Sequence, residues 1–229
     1  MAQIFLLLLS CMFSKEQVIE AHSQIVLAEM YLSCAENDKE ECDINVNSQV
    51  SKGSATRIKW NDHYYWLTAG HVCEIKKENI QINNMIINKV FVANVGHSGE
   101  IEELSKVVFA NQYDLCLIKA KKGKIRKFAN TTPNNGDNVH SFAYPGGAFG
   151  KDVYPLYKGT WNGKIENKCL TTIPVVGGSS GSSVLNNKDE IVSVIVSTMQ
   201  NFNHFTLSVC LDDIKDFIQK ADAILQQEE

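Results

Sequence analysis

The sequence predicts an all-β barrel or sandwich closed by one helix, on three observations: a series of short β-rich runs, turn formers between them, and one amphipathic stretch at the C-terminus. The runs occupy residues 55–60, 64–68, 85–92, 106–110, 115–120, 139–144, 154–161, 170–176, 184–185, 191–198 and 205–210, with Gly, Asn and Asp clustered between them. Beyond residue 210 the period changes. Leu211, Ile214, Phe217, Ile218, Ala221, Ile224 and Leu225 recur at three- and four-residue spacing behind Asp212 and Asp213, whose charges suit a helix N-terminus, so a helix is expected over 211–226.

At 229 residues and 44% hydrophobic content the chain can bury one sizeable core or two small ones. Its formal charge of −4, from 26 acidic and 22 basic side chains, favours solubility and gives no basis for a nucleic-acid partner. Seven cysteines show neither C-x-x-C spacing nor clustering with histidines, so no metal site is expected. Setting Cys11 aside leaves six that can pair in an oxidising compartment. Cys34 and Cys42, flanking a polar acidic loop, are the simplest pair, whereas Cys116, inside an apolar run, reads as a buried free thiol.

The apolar run at residues 4–13 is too short to span a bilayer and has the length of a signal-peptide core, which implies export to the periplasm or outside the cell. No Lys or Arg precedes it, and the small-x-small pattern Ala21-His22-Ser23 lies some way downstream. Leu8-Leu9-Ser10-Cys11 also has the look of a lipoprotein box; membrane association follows only if the leader is retained or Cys11 is lipidated. The organisation expected is a leader over 1–23, an N-terminal extension over 24–50 and one domain over 51–229. Val18, Ile19, Ile25, Val26, Ala28, Met30 and Leu32 suit a helix in the extension better than a strand. Within the domain, residues 121–137, rich in charge and turn formers, divide a first β half (51–120) from a second (138–210).

Three local motifs carry chemistry. In Gly177-Gly178-Ser179-Ser180-Gly181-Ser182-Ser183 the glycines allow a turn whose successive N–H groups converge, so the amides of Gly178 and Ser180 can receive an oxyanion while the Ser180 hydroxyl attacks a carbonyl. Taken alone, this segment is equally a flexible Gly/Ser loop. A serine needs a base, and His71 alone among the six histidines follows a hydrophobic run directly, in Trp66-Leu67-Thr68-Ala69-Gly70-His71. The orienting carboxylate is expected in an apolar setting, where Asp114 stands at the head of Leu115-Cys116-Leu117-Ile118. Its plainer reading is a strand-end aspartate bonded to a backbone amide.

T-A-G-H-V, Y-D-L-C-L-I and G-S-S-G-S, in that order, resemble the His, Asp and Ser motifs of trypsin-like serine peptidases. The run Ser182 to Val192 is similar to the hairpin after the nucleophile in bacterial high-temperature-requirement proteases and glutamyl endopeptidases. Ala143-Tyr144-Pro145-Gly146-Gly147 is similar to a strand end of their second barrel. The resemblance covers about residue 51 to the C-terminus, one two-barrel domain in length. It implies two six-stranded antiparallel β-barrels of the chymotrypsin type, the C-terminal helix and the N-terminal helical extension being added to them. It also implies an endopeptidase acting on protein or peptide substrates through an acyl-enzyme, with His71, Asp114 and Ser180 as its triad, chemistry that calls for no cofactor.

Position 179 is Ser where the digestive and clotting enzymes carry an Asp that pairs with a newly cut N-terminus, so no zymogen step of that kind is expected. A peptide-binding C-terminal domain like that of the bacterial relatives is not expected. The resemblance places the substrate pocket at Ile173, Val175, Val176 and Gly177 and at Ser197, Thr198 and Met199, which include no acidic residue, so an apolar or small P1 side chain is expected over Lys or Arg. The alternative reading is a barrel of the same ancestry that has lost catalysis and binds peptides.

Overall fold

A computed structural model describes residues 20–34, 44–74, 86–95, 101–104, 107–110, 112–145, 155–199 and 202–227. The apolar run at 4–13, Cys11, the Cys34 side chain and the acidic loop with Cys42 lie outside what is described.

Seven antiparallel strands form the first sheet: β1 (His22–Cys34), β2 (Ile44–Trp60), β3 (His63–Ala69), β4 (Ile86–Val95), β5 (Ile101–Leu104), β6 (Val107–Ala110) and β7 (Leu115–Lys119), in the order β5-β4-β1-β2-β3-β7-β6. Between β3 and β4 lies a single helical turn, α1 (Gly70–Cys73). Six strands close the second barrel in the order β10-β13-β12-β11-β8-β9: β8 (Asn138–Phe142), β9 (Leu156–Ile165), β10 (Lys168–Thr171), β11 (Ser183–Leu185), β12 (Ile191–Met199) and β13 (Phe202–Cys210). The chain closes with α2 (Leu211–Gln227), which buries Leu211, Ile214, Phe217, Ile218, Ala221 and Leu225. This is the expected β-rich, two-sheet architecture with a C-terminal helix, the first sheet holding one strand more than six.

That extra strand corrects the reading of the N-terminal extension as helical. Residues 22–34 pair with β2 from His22↔Thr56 to Cys34↔Ile44 and with β4 on the other side. Ala21, His22, Ser23, Gln24 and Ile25 are all buried, the polar His22, Ser23 and Gln24 along with the apolar pair, so polarity does not separate an inward from an outward face and the alternation that marks a strand is missing. The Ala21-His22-Ser23 triplet is thereby part of the fold: the Arg57 N–H donates to Ala21 O, and Tyr144 OH donates to His22 O.

Two further expectations are corrected. Residues 172–176 run irregularly past the end of β10 instead of completing a strand. Cys116 is not a free thiol, because it is joined to Cys73, and Cys169 is joined to Cys210.

One hydrophobic cluster runs through both sheets, with Ile25, Ala55, Leu67 and Leu117 from the first, Leu185, Ile191, Val194 and Val209 from the second, and Ile214, Phe217 and Ile218 from α2. The connection at 121–137 is pinned on the way across. Arg126 forms a bridge with Ile58 and Phe128 with Ile191, while the Phe128 ring meets Trp60 edge-on.

Candidate active site

Register brings His71 and Asp114 together. β3 pairs with β7 so that Ala69 faces Leu115, which leaves His71, two residues beyond Ala69, next to Asp114, one residue before Leu115. Gly70 permits this approach: a Cβ there would lie 2.9 Å from Asp114 C and Leu115 N. The disulfide between Cys73 and Cys116 links the same two segments two residues further along each.

Asp114 has φ +55, a left-handed backbone that an aspartate tolerates better than most residues but that still costs energy. Its carboxylate faces His71 twice. Oδ1 accepts the His71 backbone N–H at 2.9 Å and lies 3.0 Å from the ring Nδ1, with Oδ2 at 3.1 Å. The bond to Asp114 raises the His71 pKa above the ordinary histidine value, against the opposing effect of burial. Burial works to raise the Asp114 pKa, but the bonds from the His71 ring and backbone, with the charge of Lys168, hold it below the ordinary carboxylate value. An ionised carboxylate only accepts, so the neutral ring carries its proton on Nδ1 and leaves Nε2 as a base.

The Ser180 turn is held against the same sheet end. The Ser54 N–H donates to Ser180 O at 2.7 Å, and the Gly181 N–H donates to Ile195 O of β12 at 2.8 Å. A Cβ at Gly181 would stand 2.1 Å from both Ser54 O and Thr68 Oγ1, so the turn comes this close only with glycine there. Among the described residues no hydrogen bond joins Ser180 Oγ to the His71 ring.

Upstream, the Ser179 N–H donates to Val176 O at 3.0 Å and Gly178 has φ +94, the signature of a type II turn with glycine in its third place. Ser179, Gly181 and Ser182 donate their N–H groups to backbone carbonyls, whereas those of Gly178 and Ser180 have no backbone acceptor among the described residues. Ser179 is buried and held by neutral bonds. Its Oγ takes the Val176 N–H at 3.4 Å, and its carbonyl takes the Ser182 hydroxyl at 2.7 Å.

The residues expected to line a pocket separate into two sets. Ile173 is fully buried in the core of the second barrel, with Val175 packed beside it, and Thr206 Oγ1 donates to the Ile173 carbonyl. Val176, 63% exposed, and Gly177 face solvent beside the Ser180 turn, as do Ser197, Thr198 and Met199 at the end of β12. The polar supports Ser54 and Thr68 were not singled out from sequence, since an isolated hydroxyl in a β run carries no local signal.

The family model described as the trypsin-like peptidase domain matches residues 53–194. The chain belongs to the trypsin-like peptidase family. No curated protein matches it in sequence. Among solved structures it is similar to a protease from M. tuberculosis in its active form, at 14% identity and TM-score 0.61, covering 89% of this chain and 82% of that one. It is also similar to a serine endoprotease from Yersinia pestis, at 18% identity and TM-score 0.60, covering 90% of this chain and 65% of that one. The HtrA-type protease AlgW with a decapeptide gives 13% identity and TM-score 0.65, covering 91% of this chain and 66% of that one. At these identities the trypsin-like likeness is one of fold, and the chain spans just under two thirds of the latter two.

Proposed function

We propose that this trypsin-like family member is an active serine endopeptidase with His71 as general base, Asp114 as its orienting carboxylate and Ser180 as nucleophile. The observation that carries the reading is the double engagement of Asp114 with the ring Nδ1 and backbone N–H of His71, at the sheet end against which the Ser180 turn is bonded.

In this mechanism His71 Nε2 takes the Ser180 hydroxyl proton as Oγ bonds to the scissile carbonyl carbon, and the carbonyl π electrons move to oxygen. The Gly178 and Ser180 N–H groups receive that oxyanion. Collapse breaks the C–N bond, His71 passes its proton to the departing amine, and water activated by the same ring releases the acyl group. With Val176 exposed in the turn segment and no acidic residue among Ser197, Thr198 and Met199, an apolar or small P1 side chain is favoured. Export fits the leader-like run at 4–13 and the oxidised Cys73–Cys116 and Cys169–Cys210 pairs.

Labelling with a fluorophosphonate tests the assignment. Wild type should label and both Ser180→Ala and His71→Ala should not; a folded wild type that stays unlabelled would leave the peptide-binding barrel as the better reading.

A further inference from the structure

Ser54 lies on β2, in the first sheet, fully buried, and no part of the chemistry above uses its side chain. Yet every polar group it owns is committed to the site. Its hydroxyl accepts the Tyr144 N–H at 2.9 Å and donates to the Gly178 carbonyl at 2.9 Å. Its backbone N–H donates to the Ser180 carbonyl at 2.7 Å, and its own carbonyl accepts the Thr68 hydroxyl at 2.7 Å, three residues before His71. Because Tyr144 occupies the acceptor side of the hydroxyl, the hydroxyl proton is directed to Gly178 O.

We propose that Ser54 is a positioning residue that sets the oxyanion-binding turn through the Gly178 carbonyl. This rests on the peptidase reading above. Holding the carbonyls of Gly178 and Ser180 fixes the planes on both sides of the Ser179–Ser180 unit, and the peptide before Gly178 is then constrained by the turn closed from Ser179 N–H to Val176 O. The two N–H groups without backbone acceptors, those of Gly178 and Ser180, are the ones whose directions these bonds determine. A Ser179 held only by neutral hydrogen bonds gives the turn no ionic anchor, so a bond from the opposite sheet supplies constraint that the turn cannot generate alone. Ser54 is 124 residues from Gly178 in sequence, and its hydroxyl is the side-chain grip of the first sheet on the turn, beside the backbone grip of its N–H on Ser180 O.

The test compares full-length wild type with Ser54→Ala, and with Ser54→Cys, which keeps the volume but donates weakly. Three readouts are taken: amide hydrogen exchange over residues 176–182, kcat and KM separately on active-site-titrated protein, and inhibition by a peptide aldehyde, whose hemiacetal places an oxyanion in the hole. The expected result is faster exchange in that segment, kcat lower by roughly tenfold to a hundredfold with KM little changed, and aldehyde affinity reduced by a similar factor, less than the loss of an oxyanion donor itself. The cysteine variant should fall between. Unchanged exchange over 176–182, or a variant that loses thermal stability alone while its titrated sites turn over at the wild-type rate, would overturn the proposal. If wild type neither labels with fluorophosphonate nor hydrolyses peptides, the peptidase reading fails, and the exchange comparison still decides whether Ser54 sets the turn.

Discussion

Cys73 and Cys116 each stand two residues beyond one member of the His71–Asp114 pair, so the disulfide between them ties together the two segments that carry that hydrogen bond. The cross-link resists separation of α1 from β7. Replacing both cysteines by serine should lower unfolding free energy by about 2–4 kcal/mol, the range for cross-links of this loop length. Urea unfolding of the two proteins checks this, and a variant with an unchanged midpoint would show that sheet packing alone holds the pair.

The rate of peptide hydrolysis should rise with pH as His71 loses its proton. The Asp114 bond raises the His71 pKa, so the midpoint of kcat/KM belongs above the ordinary histidine value of about 6.5. Asp114→Asn removes the charge that favours the imidazolium. Its midpoint should move down, and its rate should fall by up to about 10⁴-fold, as expected where the imidazole tautomer is lost. A profile flat from pH 5 to about 8 would exclude His71 as the base.

Gly181 and Gly136 have nearly the same backbone, φ +87 and +91, but only Gly181 is pressed against neighbours. Gly136→Ala should cost about 1–2 kcal/mol, the left-handed cost alone. Gly181→Ala adds a Cβ among Ser54 O, Thr68 Oγ1 and Ala69 N and should cost about 2–5 kcal/mol. Denaturant midpoints distinguish the two, and equal losses would mean that the turn yields.

Asp222 of α2 is buried and bonded to Tyr65 OH and, at 2.9 Å, to Asn61 Nδ2. Asp222→Ala leaves a phenol with one partner fewer in the core, an expected loss of about 1–3 kcal/mol. Asp216 on the same helix pairs with Lys220 and accepts the Tyr113 hydroxyl at the exposed surface, and Asp216→Ala should leave stability close to that of wild type. Thermal unfolding of both variants measures the contrast.

The β-rich architecture and the closing helix were legible because each has a local cause, strand composition and helical period, whereas the partnership of His71 with Asp114 was legible only through the order of the motifs and the family they resemble. The extension was misread because the polar His22, Ser23 and Gln24 stand consecutively and are buried between Ala21 and Ile25, so the sequence lacks the alternation on which strand recognition depends. Cys116 was misread because an apolar run is equally the setting of a buried thiol and of a buried disulfide, and only the β3–β7 register decides. β5 went unnoticed since Ile-Glu-Glu-Leu carries two charges in four residues. Ser54 and Ile173 show the limit most plainly: one joins the site and the other leaves it through contacts that no neighbouring residue announces.

The pinned connection at 121–137 bears on how the molecule comes apart. Its bridges to Ile58 and Ile191 join two sheets that already share one apolar cluster, and the bond from Ser54 to Ser180 crosses the same seam. Neither half keeps a complete interior once the other melts, so heat or denaturant should take both through a single cooperative transition, with the loss of peptidase activity tracking the loss of tertiary signal and no half-folded species between.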